Sequence, residues 1–183
     1  MKRPANPQAM AALNRETTYT GHPDLGRQVD VDTWLTPRWI LSQLGEFNMD
    51  PCAALEDPRH VGAPSYYTKE NDGLAQPWYG RVFMNPPYSD VAPWLVKAAQ
   101  HMAGGVSLVP ASVESRVWRE WVWPRAVRIL LLAGRVRFCN PDGSVTTGRP
   151  LRSVALIAWG GVDAVFLDTC TLAGVLLNKW GLR

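Results

Sequence analysis

The sequence predicts an α/β domain built on a doubly wound, mainly parallel sheet with an antiparallel hairpin at one end. Two patterns carry that expectation. Short apolar runs bounded by turn residues, at 82–84, 106–110 and 125–132, alternate with stretches of helical length and period at 37–44, 90–101 and 113–123. Then 135–138 and 152–159 resemble two antiparallel strands joined by a polar loop, 140–150. At 183 residues the chain is long enough for one sizeable core. We place a single domain at 31–183, preceded by a loosely ordered arm, 1–30, that is polar and without sustained period.

The first element of the folded part is Asp32-Thr33-Trp34-Leu35-Thr36-Pro37. Thr36 suits an N-cap and Pro37 the first helical position, so a helix is expected over 37–44, with Trp39, Ile40 and Leu44 on one face. Free N–H groups at its start would suit the carboxylate of an amino-acid-like ligand; a capped helix and nothing more is the alternative. Next, Phe47-Asn48-Met49-Asp50 reads as a short strand ending in an acid, followed by a tight loop, Pro51-Cys52-Ala53-Ala54. An acid at the carboxyl end of a parallel strand can pair with an ammonium group, and small residues after it let the backbone approach a ligand. The bland reading of Asp-Pro is a common turn.

Residues 56–70 read as loop with a short strand near 65–68, and His60, for which the sequence offers no partner, is expected on the surface. Asn71-Asp72-Gly73-Leu74 is a turn signal. It is followed by Val82-Phe83-Met84-Asn85-Pro86-Pro87-Tyr88, in which two prolines stop a buried strand and leave a rigid turn with free carbonyls. That turn suits methylation of an exocyclic amine on a planar base. The Asn85 side-chain oxygen and the Pro86 carbonyl would each accept one N–H, favouring the pyramidal nitrogen of the transition state over the flat ground state. Tyr88 would stack on the base. A strand-ending turn with an Asn cap and a packed Tyr is the alternative.

After it, Ser89-Asp90 can cap a helix with Trp94, Leu95, Ala98 and Met102 on one face, ended by Gly104-Gly105. The last segment, 168–180, reads as a capping helix that buries Leu172, Val175, Leu176 and Trp180. The net charge of +3 is uneven: residues 111–152 hold eight Arg against three acids, leaving the remainder mildly acidic. A local basic surface of this kind suits a polyanion, although scattered arginines would look similar. The three cysteines, Cys52, Cys139 and Cys170, have no zinc or redox spacing and read as free thiols in a reducing compartment. No apolar run reaches membrane-spanning length, and the N-terminus has no signal-peptide core.

Asn-Pro-Pro-Tyr after an apolar strand, preceded in order by Asp-x-Trp-x-Thr-Pro, Asp-Pro-x-Ala and Asp-Gly-Leu, resembles the phage-type DNA N6-adenine methyltransferases over roughly 32–160. The resemblance implies a Rossmann-like methyltransferase sheet, S-adenosylmethionine as cofactor, double-stranded DNA as partner, no metal and a cytoplasmic setting, in a bacterial cell or phage-infected host. It implies catalytic roles for Asn85, Pro86, Pro87 and Tyr88. Cofactor contacts are expected from Thr36, Pro37, Asp50, Pro51, Cys52 and Ala53, and from Asp72 and Leu74 around the cofactor adenine. DNA is expected along Ser112, Arg116, Trp118, Arg119, Arg135, Arg137 and Arg149. The same chemistry on cytosine N4, an RNA adenine or a protein glutamine amide stays open, as does a silent DNA-binding module.

Overall fold

The computed structural model describes residues 34–54, 60–140, 144 and 153–178. Seven strands form one mixed sheet: β1 (Met49–Asp50), β2 (Ser65–Tyr66), β3 (Val82–Met84), β4 (Gly105–Pro110), β5 (Arg128–Leu132), β6 (Val154–Ala158) and β7 (Gly174–Leu177). Their spatial order is β2-β1-β3-β4-β6-β5-β7. β2, β1, β3 and β4 pair in parallel. β6 runs antiparallel between β4 and β5, and β7 antiparallel to β5 along the outer edge. The expectation of a mainly parallel sheet therefore holds in one half only, and the antiparallel ladders are the longer ones.

Residues of alternating direction feed two cores. On one face α1 (Arg38–Leu41) and a later helix, α4 (Gly161–Thr169), bring Ile40, Leu41, Ala164 and Leu167 onto Phe83, Val106, Leu108 and Leu156. On the other, α2 (Val91–Gln100) brings Trp94, Leu95 and Ala98 onto Met84, Val109 and Ile157. Trp118 and Val122 join them from a helical stretch wound as a π-helix over Trp118–Val122, which ends in α3 (Trp123–Arg125). The period of two along each strand thus decides which helix each apolar residue meets.

Arg81, just before β3, locks the end of the sheet where that strand begins. Its Nε donates to Asp163 Oδ1 of α4 at 2.6 Å, and its other nitrogens to the carbonyls of Leu44 and Glu46, each at 2.6 Å. The guanidinium lies between the rings of Phe47 and Phe166, 4.2 and 4.5 Å from their centroids. Asp163 Oδ2 accepts the N–H groups of Gly105 and Gly160. The buried charge pair is therefore fully hydrogen-bonded, which is the condition under which such a pair is tolerated.

Several elements differ from the sequence reading. The first helix is shorter, its N-cap is Pro37, and Thr36 makes no side-chain cap. The turn after Tyr88 is a short 3-10 segment, Tyr88–Asp90, and α2 ends at Gln100, with Gly105 already in β4. Residues 135–138 form no strand; Cys139 alone pairs, in an isolated bridge with Leu35. The partners of β6 are instead β4 and β5, so the expected terminal hairpin is not formed. The expected helix over 168–180 is replaced by the end of α4 and the edge strand β7. A Val-Leu-Leu run satisfies a strand as readily as a helix, and the open edge of β5 supplies the pairing. Gly174 permits it: a Cβ there would stand 2.3 Å from the Leu131 carbonyl. The 1–30 arm, Arg149 and Trp180 lie outside the described residues.

Candidate active site

Asp50 is the last residue of β1 and Asn85 follows β3, so both stand at the carboxyl ends of adjacent parallel strands, where open α/β sheets bind ligands. An open cleft there is lined by Trp34, Leu35, Thr36, Asp50, Cys52, Ala53, His60 and Asn85.

The Asn85 amide is oriented by the chain N-terminal to α1. Its Nδ2 donates to the Trp34 carbonyl at 3.1 Å, while its Oδ1 is buried without a hydrogen-bond partner among the described residues. A buried acceptor left unmatched in this way costs about 1–3 kcal/mol, which a ligand donor would recover. Leu35 is held in place by two backbone bonds with Cys139, at 2.9 and 3.0 Å.

Asp50 is 7% exposed and accepts the Cys52 N–H at 3.1 Å. Burial pushes its carboxyl up to about 7, against the pull of that bond. Burial also pushes the Cys52 thiol well up, helped by the neighbouring Asp50 charge. Both observations describe a desolvated pocket holding a carboxyl with no cation beside it among the described residues.

Tyr88 is half-buried, its ring edge-on to Phe138 with centroids 5.9 Å apart. Its hydroxyl is buried without a partner among the described residues, and burial raises its pKa. Pro86 is buried and Pro87 half-buried.

His60 is a correction. It is half-buried in the cleft wall and donates from Nε2 to the Thr36 carbonyl at 2.7 Å. Burial holds its pKa below the usual value, so the ring is neutral at neutral pH. No sequence signal marked this contact, because its acceptor is a main-chain oxygen 24 residues away.

Thr36, Cys52 and Ala53 line the cleft, while Pro37 and Pro51 flank it in the chain. Asp72 and Leu74, expected at the cofactor adenine, are not among the residues that line this cleft; they belong to a neighbouring loop. Asp72 has φ +50° and accepts the Leu74 N–H. The loop packs on the Asp50-Pro51 turn through Gly73, where a Cβ would stand 1.9 Å from the Pro51 carbonyl. Two motifs well apart in the sequence are thereby in contact, and only glycine allows so close an approach.

Of the residues expected at DNA, Arg116, Arg119, Arg135 and Arg137 are exposed and Ser112 is half-buried. Arg116 pairs with Glu120 at 2.8 Å. Trp118 is 1% exposed, packed edge-on against Trp123, and so belongs to the core rather than to a surface. Its place in the basic segment hid the apolar face it shares with Val122.

A mixed α/β sheet with a desolvated, partly unsatisfied polar cleft at its parallel strand ends has the arrangement at which open α/β sheets bind ligands. Over residues 26–159 the chain matches the family described as DNA N-6-adenine-methyltransferase (Dam), and it belongs to that family. It is similar to the DNA N-6-adenine-methyltransferase of Haemophilus phage HP1 (strain HP1c1), with 31% identity over 78 residues, 39% of this chain and 43% of that protein. The chain thus spans less than half the length of that relative. No solved structure matches the chain. Among the described residues no helix is long and apolar enough to cross a membrane.

Proposed function

We propose that this chain transfers a methyl group from S-adenosylmethionine to adenine N6 in double-stranded DNA, acting on a base flipped out of the helix. The observation that carries the reading is the buried Oδ1 of Asn85, unpartnered among the described residues, on a residue that lines a cleft also lined by Asp50. We read the sheet as a variant of the Rossmann-like methyltransferase arrangement, with β6 as an antiparallel insertion.

The residues present fit the cofactor. Asp50 is a buried carboxyl that lacks a cation among the described residues, and it would hold the ammonium end. Cys52 and Ala53 leave room for close approach, and Asp72 and Leu74 would meet the adenine end. When bound, S-adenosylmethionine supplies an electrophilic methyl group in a water-poor site.

The chain's own part is positioning. Asn85 Oδ1 and the Pro86 carbonyl accept the two N–H bonds of the target amine, an interaction that strengthens as nitrogen becomes pyramidal. Trp34 fixes which end of the Asn85 amide faces the base: a carbonyl at Nδ2 leaves only the acceptor end for the target. That selects an amine and disfavours a base carbonyl in the same place. Tyr88 holds the ring, and the proton leaves the product amine to solvent. Arg116, Arg119, Arg135 and Arg137 contact phosphates along with Arg149, setting register and salt dependence without reading sequence.

The test is incubation of the purified protein with methyl-labelled S-adenosylmethionine and unmethylated duplex DNA, then digestion to nucleosides. Label in N6-methyladenine is expected. Label in N4-methylcytosine, in RNA alone or in protein would change the substrate. Binding of both ligands without transfer would make the chain a silent DNA-binding module.

A further inference from the structure

Lys97 projects from α2 into the loop that carries Asp72 and Leu74. Its Nζ donates to three carbonyls of that one loop: Gly73 at 3.1 Å, Leu74 at 2.7 Å and Gln76 at 2.5 Å. Its ammonium also lies 4.9 Å from the centroid of Trp78, whose indole N–H donates to the same Gly73 carbonyl at 2.7 Å. Trp78 in turn stacks on Trp94 of α2. Three carbonyls gathered on one ammonium turn the acceptor side of the loop toward α2. They hold Gly73 down on Pro51, and hence on the turn that carries Asp50 and Cys52. Desolvation lowers the Lys97 pKa, with the Asp72 charge acting against it.

Resting on the methyltransferase reading above, we propose that Lys97 is a positioning residue for the cofactor: it fixes the Asp72–Gln76 loop so that the adenine end of S-adenosylmethionine meets a preformed wall. Lys97 touches neither the target base nor the transferred methyl group. Its loss therefore acts on the cofactor side alone. An unpinned loop must be ordered by the ligand itself, which reduces affinity without altering the bound geometry.

Lys97→Met keeps the aliphatic stem over Trp78 and removes the three donors. We expect it to raise the KM and Kd for S-adenosylmethionine about ten- to thirtyfold, consistent with losing a charge-assisted hydrogen-bond set. The KM for DNA and the kcat at saturating cofactor should change less than about threefold on the same argument. Lys97→Arg, which keeps charge and donors, should recover part of the affinity. Cofactor binding is measured by calorimetry, and thermal unfolding confirms that each variant is folded. If Lys97→Met unfolds, the Lys97→Arg variant and hydrogen exchange of the 73–76 amides with and without cofactor carry the test: exchange there should slow more on binding than in wild type. Equal cofactor affinity in wild type and Lys97→Met, or equal loss in KM for DNA, overturns the proposal and leaves the methyltransferase reading intact. A wild type that binds no S-adenosylmethionine overturns both.

Discussion

Replacing Asp50 by asparagine should make the free protein more stable while ending cofactor binding. The free carboxyl is buried, and its pKa stands at about 7 against an ordinary 3.8. The folded state therefore holds a proton that the unfolded state has released across that interval. Stability falls as pH rises from about 4 to about 7, and the penalty is complete above 7, where it amounts to about 4 kcal/mol. A side-chain amide is neutral throughout, so Asp50→Asn removes that penalty while its oxygen still accepts the Cys52 N–H. Amide N–H groups that gained no acceptor there would return about 1–3 kcal/mol of cost. A net gain of about 2 kcal/mol at pH 8 should raise the unfolding midpoint by about 4–8 °C. If Asp50 holds the cofactor's ammonium group in its ionised form, as proposed, wild-type affinity should weaken roughly 25-fold from pH 7.5 to 5.5. At pH 6.5, binding should release roughly three-quarters of a proton, read by calorimetry in two buffers of different ionisation enthalpy. Asp50→Asn should show neither effect. Affinity that stays flat across this range, or an Asp50→Asn protein no more stable than wild type at pH 8, would refute the argument.

Three further outcomes follow from the cleft and the basic surface. Asn85→Ala removes both the bond to Trp34 and a buried acceptor with no partner among the described residues, two opposed effects of about 1 kcal/mol or more, so folding stability should change little. Single-turnover methyl transfer should nevertheless fall about a hundredfold or more with cofactor affinity preserved, and wild-type transfer by this variant would sink the mechanism. Tyr88→Phe deletes a buried hydroxyl with no partner among the described residues, so it should be neutral or stabilising by about 1 kcal/mol in denaturant unfolding and should transfer nearly normally, whereas Tyr88→Ala should lose about 1–3 kcal/mol of base stacking. Arg119→Ala and Arg137→Ala should each lower the salt slope of DNA binding by about one unit, and Arg116→Ala by less because Glu120 already pairs with it. An unchanged slope in all three would place the DNA on another face.

What the sequence made legible was local. A strand that ends in Asp50, and another that ends at Asn-Pro-Pro-Tyr, could be read because strand, stop and polar residue are contiguous, and the structure brings both to one cleft. Where contacts are long-range or use the main chain, the residues gave no sign. The Trp34 carbonyl that orients Asn85, the Thr36 carbonyl that receives His60 and the three carbonyls that receive Lys97 are acceptors every residue type possesses. The sheet was misread where the same apolar run suits two periods. Val175, Leu176 and Leu177 pair with β5 because that edge is open, a fact of tertiary context and not of propensity. Residues 135–138 alternate as a strand should, yet only Cys139 finds a partner, and that partner is Leu35 from the far end of the described chain.

The Leu35–Cys139 bridge has a consequence for how the protein tolerates change. It joins residues far apart in the chain through backbone N–H and carbonyl groups alone, and it carries Trp34 to Asn85. Side-chain replacement along 34–36 leaves those groups in place, so a scan by alanine would report the packing of Leu35 and Thr36 and not the strap that orients the Asn85 amide. Proline at 35 or 139 is different in kind, because it deletes the very N–H that closes the bridge. The bonds of the strap thus depend on chain path and not on side-chain identity, even though Leu35 and Thr36 also fill buried space.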